Sequence, residues 1–512
     1  MRALPPALSS CNPLRWLTFF GPGAIIASLT IGVGELVFSS RAGAIFGYRL
    51  LWFFLLVLVF KWALVLASAR HIVLTGAHPF QRWMELPGPR GWFPLVMLLL
   101  ALPSFPIWVC FHAGTLGTLV SWLTGTDAAL KGGAHFLWAL GLMAVVLVLC
   151  ATGGYKALER IQFVIIALML LGVVAALFIL QPDWGELLKG LFVPQPIHYP
   201  PWITPETHGE IAARPVWVET ATYVGVIGGS SYDYLAYVSY LREKHWGQSA
   251  RPSDRVLEDC RWLRAPLIDC TSSFVIVLIF CAVFVASGAM VLGPQHKVPA
   301  GTDLLSLQAE FVATVHPWLR CLYFVGAFLA IFGTLYGTIE VAPTVLRELA
   351  SAFAGSSRGG EALTPSRLAS RTSRFRMSLL TSPAAKNRLR CWAVAWVGGG
   401  GILVLLWSLM QHLTGGAAKP AGLIAILTPA NLFTGVLGCG LVCALNLWID
   451  WRFLPADRRM HATLAGLNAL AALVFLGLGM KGYWDHSGWP AFLILGGTLA
   501  AGCFVAAFAN RS

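Results

Sequence analysis

Ile31-Gly32-Val33-Gly34-Glu35 interrupts the first long apolar stretch of the chain, and residues 19–30 before it and 36–46 after it both read as membrane helix. A helix in hydrocarbon must satisfy its backbone groups internally, so two glycines and a carboxylate at mid-depth survive only beside a polar cavity. The break is therefore expected to be half of a substrate site.

The rest of the chain supports a membrane reading. Of its 512 residues, 57% are apolar and 12% charged, about half the charge of a typical soluble chain. About twelve runs approach the ~20 apolar residues that span a bilayer, leaving no soluble domain of useful size. With the N-terminus in the cytoplasm, about 26 of the 36 lysines and arginines fall on the cytoplasmic side and about nine outside, as the positive-inside rule requires. The net charge of +13 thus reports topology, with both termini cytoplasmic and a bilayer, not a nucleic acid, as partner. A bacterial inner membrane is the expected location, and residues 1–15 lack the layout of a signal peptide.

The eleven cysteines lie mostly in apolar segments or on cytoplasmic stretches, so no disulfide framework is expected. Cys439 and Cys443 stand one helical turn apart, but no His or acid lies near them in sequence, which favours packing over metal binding.

A second break mirrors the first. In the apolar segment 216–241, Gly225, Gly228 and Gly229 lead into Ser230-Ser231-Tyr232-Asp233. The two most glycine-interrupted segments thus open two sets of five spans, and paired broken helices at matching places mark the binding site of a transporter. Kinks are expected at Pro94, Pro103 and Pro106 in the third span, and Pro343 is expected to end or kink the eighth. Residues 181–215 form a long outer loop whose His198, Glu206, His208 and Glu210 match no closed metal site.

Charges inside a bilayer are costly, at least ~2.5–3.5 kcal/mol each near the centre, so those retained are candidates for function. Glu35 and Asp233 each follow a glycine break. Two carboxylates with backbone oxygens near Gly32 and Gly229 and hydroxyls of Ser230 or Ser231 make an all-oxygen site suited to hard cations such as Mg²⁺ or Mn²⁺. Lys61 is expected to find an internal partner, Glu35 or Glu340 among the choices, or to stand in for a coupling ion. His112 is a candidate proton relay or a hydrogen-bonded core histidine. No His-Glu-x-x-His, Gly-x-Ser-x-Gly or phosphate-binding glycine loop is present, so neither an enzyme nor an ATP-driven pump on this chain is expected.

Several short motifs resemble those of the Nramp divalent-metal transporters. They are Gly21-Pro22-Gly23 before the break, Gly47-Tyr48 with Leu51-Trp52 after it, Ala69-Arg70 with Thr75-Gly76, Gly154-Tyr155-Lys156 with Leu158-Glu159, and Asp183-Trp184-Gly185 with Lys189-Gly190-Leu191. The resemblance implies the inverted-repeat fold shared with amino-acid and sodium-coupled carriers, its first and sixth helices unwound around the ion. The family's Asp-Pro-Gly-Asn becomes Gly32-Val33-Gly34-Glu35 here, and its Met-Pro-His is absent from residues 228–234. The acids it uses for proton movement in the third helix have no match in residues 109–118. Loss of the thioether is shared with the Nramp-related magnesium transporters.

The expected protein is an all-α membrane protein of about twelve spans, with a LeuT/APC-type 5+5 inverted repeat. The first repeat covers about 16–180, the second about 216–449, two extra helices lie at about 462–508, and a flexible basic linker covers 346–390. Its expected role is secondary transport of a divalent cation by alternating access, the cation being substrate, with no resident cofactor. A carrier of a small organic solute such as an amino acid, and a sensor or scaffold acting through the linker, are the alternatives. Oligomeric state is open.

Overall fold

The computed structural model describes residues 8, 13–32, 34–246, 261–298, 317–356, 383–414 and 432–509. The described residues are helical, with no strand among them. The first apolar segment is split into α1 (Pro22–Thr30) and α2 (Ser40–Phe46), joined through a π-helical turn at Gly34–Ser39. Gly47, at φ +60°, ends α2. Next come α3 (Leu51–Thr75), α4 (Trp92–Leu123), α5 (Ala134–Thr152) and α6 (Tyr155–Leu180). The sixth segment is again split, into α7 (Val216–Val226) and α8 (Ser231–Glu243). The remainder comprises α9 (Arg264–Ser287), α10 (Pro317–Ser356), α11 (Pro383–Thr414), α12 (Gly438–Phe453, preceded by a π-turn at Leu432–Leu437) and α13 (Ala462–Ala509). A positive φ at Gly488 divides α13 into two spans.

Ten helical stretches among the described residues are long and apolar enough to cross a membrane. The half-helices α1, α7 and α8 are each too short to do so alone. Exposed Leu171, Phe178, Leu403, Leu473, Leu493 and Phe504 lie on α6, α11 and α13. On these helices apolar side chains face outward, as a lipid solvent allows. The split helices, α3 and α10 are instead lined by buried residues.

The packing places the breaks. α1 rests on α6, α9 and α10, while α2 rests on α9 and the π-turn Gly288–Leu292 that follows it. α7 rests on the π-turn before α12, and α8 on α3, α1 and α10. Both interruptions therefore meet at the centre of the bundle.

Two expectations need correction. Of the two outcomes expected at Pro343, an end is ruled out: α10 runs through it to Ser356. Neighbouring helices can take up the backbone groups that a proline frees. The linker is also narrower than residues 346–390, because α10 and α11 extend into both of its ends and only 357–382 lie outside the described residues. Val345, Leu349 and Ala352 recur at helical spacing and are buried. Beside them Glu348 bonds Arg242 at 3.0 Å and Arg347 bonds Glu243 at 3.2 Å. The count of Ser and Arg concealed that apolar stripe. Within residues 181–215, Trp184–Phe192 and Pro205–Ala212 are short helices. No disulfide and no cluster of three His, Cys, Asp or Glu able to hold a metal occurs among the described residues.

Candidate functional site

Gly228 and Gly229 both take left-handed backbone, at φ +86° and +89°. Side chains other than glycine rarely adopt this, which explains the break between α7 and α8. Successive polar groups in the break are taken by side chains from three helices. The carbonyl of Ile227 accepts from Lys61 Nζ at 2.6 Å, and the amide of Gly228 donates to Glu35 Oε1 at 3.0 Å. The carbonyl of Gly229 accepts from Lys61 Nζ at 2.8 Å, and the amide of Ser230 donates to Asp233 Oδ2 at 2.7 Å. The Tyr234 hydroxyl donates to the carbonyl of Gly228. Glu35 also ties the two breaks together, because its Oε2 accepts from the amide of Gly32 at 3.3 Å.

A cavity of about 80 Å³ lies between the breaks. Glu35, Asp233, Gly32, Gly229, Ser230 and His112 line it, with α4 also contributing Trp108 and Phe111. Ser231 is not among the lining residues; it is fully buried against Gly438 of α12. The expected backbone ligands are also engaged: the carbonyl of Gly229 is held by Lys61, and that of Gly32 accepts from Leu36 N–H at 3.1 Å. The oxygens that remain to face a guest are therefore mainly those of side chains.

Lys61 pairs with neither Glu35 nor Glu340 by a direct ion pair; carbonyls hold it. Glu340 lies outside this cavity and bonds Arg390 at 2.5 Å. Arg390 in turn donates to the carbonyls of Cys150 and Gly153, at 2.8 and 3.2 Å, so Glu340 joins α10 to α11 and the end of α5. His112 reaches the cavity, and its Nδ1 is buried without a hydrogen-bond partner among the described residues.

Sequence reasoning missed three features. Thr30, Thr334 and Thr338 also line the cavity. Each hydroxyl spends its proton on a backbone carbonyl, that of Ile26, Ser28 or Ala330, and Thr334 respectively. What remains on each oxygen can only accept. Thr334 and Thr338, one turn apart in an apolar helix, were a legible signal.

Asp269 of α9 was also passed over, because it stands near the start of its span. It is fully buried and accepts from the amides of Gly21 and Gly23, both at 2.8 Å, and from the Tyr237 hydroxyl at 2.9 Å. It thereby pins the N-terminus of α1 to α9 and α8. Asp269→Ala leaves three buried donors unpartnered, at roughly 1–3 kcal/mol each. The thermal unfolding midpoint should therefore fall by several degrees, and a midpoint within 1 °C of wild type would rule out the pin. The third feature is Arg41 of α2, which bonds Glu219 of α7 at 2.5 Å while Tyr223 donates to the same carboxylate at 2.8 Å. Both sites of this pair lie in segments that read as apolar, so only the fold brings them together.

Comparison with known proteins follows from this geometry. A family model described as natural resistance-associated macrophage protein-like (Nramp) matches residues 23–350. The human protein named natural resistance-associated macrophage protein 1 is 25% identical over 505 residues, spanning 91% of this chain and 83% of that protein. A protein of Caldanaerobacter subterraneus named divalent metal cation transporter MntH is 27% identical over 182 residues, which span 35% of this chain and only 41% of that relative. Among solved structures, an Eremococcus coleocola manganese transporter bound to an aromatic bis-isothiourea compound has a TM-score of 0.66 at 14% identity, covering 97% of this chain and 94% of that one. This likeness is one of fold.

Proposed function

Because the chain belongs to the Nramp family, we propose that it carries a divalent metal cation across a membrane by alternating access, with Mg²⁺ or Mn²⁺ favoured as cargo. The observation that carries the proposal is the pairing of Glu35 and Asp233 across one cavity at two opposed helix breaks. Names of relatives point the same way, since those matched include a divalent metal cation transporter.

The lining chemistry supports a hard cation. Carboxylates of Glu35 and Asp233 and the hydroxyls of Thr30, Ser230, Thr334 and Thr338 are oxygen donors, His112 adds an imidazole, and no sulfur of the described residues lines the cavity. The oxygens suit Mg²⁺ and Mn²⁺, and without a thiolate or thioether the softest metals gain little. Amides of Gly228 and Ser230 already hold the protein's own carboxylates. A solute entering by its carboxylate would meet two like charges there, which disfavours an amino-acid cargo.

Packing supports the motion. α1 rests on the fifth span and α7 on the tenth, while α2 rests on the seventh and α8 on the second. This reciprocity is what two five-helix repeats of opposite orientation require, with two further helices in α13. Joined pairwise, the half-helices bring the spans to about twelve, which puts both termini on one side, the cytoplasmic side by the distribution of lysine and arginine.

Proteoliposome flux tests the proposal. Wild type should take up Mn²⁺ or Mg²⁺ into vesicles, and Glu35→Gln combined with Asp233→Asn should abolish it. Metal flux that survives the double substitution, or thermal stabilisation of wild type by amino acids but by no divalent ion, would overturn it.

A further inference from the structure

The Lys61 ammonium is fully buried at the middle of α3, where its stem cannot carry it to water. A buried ammonium is tolerated only when its hydration is replaced. Here the replacement is backbone: the carbonyls of Ile227 and Gly229 converge on Nζ at 2.6 and 2.8 Å. They can do so because Gly228 and Gly229 are both left-handed. The amides that alternate with these carbonyls, at Gly228 and Ser230, are bound by the carboxylates of Glu35 and Asp233. The unwound strand therefore offers two oxygens to one positive charge, with two negative charges fixed on its other polar groups.

From this arrangement we propose that the Lys61 ammonium is a resident cation, filling a carbonyl site that would otherwise take an alkali-metal ion. Converging carbonyls can replace the water shell of a monovalent cation. Distances of 2.6 and 2.8 Å exceed the ~2.0–2.1 Å of Mg²⁺–oxygen bonds and reach or pass the long end of the ~2.3–2.6 Å range for Ca²⁺. The two oxygens thus stand farther from the charge than they would from Mg²⁺, as a monovalent cation allows. The fixed charge holds the break together whatever alkali ion surrounds the protein. It also stands beside the cargo cavity, which Gly229 lines as well.

The test uses the purified full-length protein without divalent ions, so a failure of the cargo reading leaves it intact. Thermal unfolding of wild type and Lys61→Ala is compared in choline, lithium, sodium and potassium chloride at equal ionic strength. Lys61→Ala should unfold earlier than wild type in choline and regain at least about 2 °C in 100 mM sodium or potassium chloride. Wild type should not distinguish these salts. Lys61→Met, which refills the volume with an uncharged stem, should show no recovery. If Lys61→Ala can be purified only in sodium or potassium chloride, the proposal gains the same support. It is overturned if neither Lys61→Ala nor the milder Lys61→Ser responds to any alkali ion relative to choline, or if Lys61→Met recovers as fully as Lys61→Ala.

Discussion

Glu35→Gln is expected to weaken Mn²⁺ or Mg²⁺ binding by roughly 100-fold or more, about 2.8 kcal/mol. A unit charge near 4 Å from another is worth ~4 kcal/mol at the effective dielectric found in proteins, and a divalent ion doubles the attraction before solvent offsets part of it. The hydrogen bonds add to this. Glu35 is an acceptor toward two amides, those of Gly32 and Gly228. Glutamine retains one acceptor oxygen but turns an NH₂ toward one of the two donors, so one of these two bonds is lost with the charge. Calorimetry of metal binding to folded wild type and Glu35→Gln measures the effect. A dissociation constant within about threefold of wild type would remove Glu35 from the site.

How much of this was legible depended on whether a residue's role is local. Gly32, Glu35, Gly228, Gly229 and Asp233 interrupt apolar runs, and interruption is visible in one dimension. The helical membrane class and the two breaks could therefore be read directly, whereas the inverted-repeat fold rested on the resemblance to Nramp motifs. Which atoms face the cavity could not. Ser230 and Ser231 are adjacent and chemically identical, yet the first lines the cavity and the second turns to Gly438. The phase of α8 decides between them, and glycines set that phase through backbone angles that no periodicity reveals. Lys61 posed the harder problem: its partners are carbonyls, which every residue has, so composition could suggest only Glu35 or Glu340. Arg41 and Glu219 lie 178 positions apart, and Asp269 meets Gly21 at a separation of 248. Such pairs exist only once helices pack.

Gly288→Val should produce the largest structural effect, loss of transport with destabilisation of about 3 kcal/mol or more, because the obstacle is backbone. A Cβ at Gly288 would collide with the carbonyl of Ser40, and one at Gly43 would collide with the carbonyl of Val285. The two helices thus touch main chain to main chain at reciprocal glycines, the small-residue contact that brings membrane helices together where no hydrophobic force acts between them. Overpacking usually costs ~1–3 kcal/mol, and the upper end applies when the neighbour cannot rotate away. The effect should reach the site because α2 is continuous with the π-turn Gly34–Ser39 that carries Glu35. Pushing α2 off α9 draws Glu35 away from the Gly228 amide and opens the link between the two breaks. Gly141→Ala supplies the control: nothing lies within 4 Å of a Cβ there, and in an exposed helix position alanine costs nothing relative to glycine. Initial uptake rates in proteoliposomes, normalised to the monodisperse fraction on size exclusion, should be near zero for Gly288→Val and unchanged for Gly141→Ala. Wild-type uptake by Gly288→Val would mean that the contact between α2 and α9 does not govern where Glu35 sits.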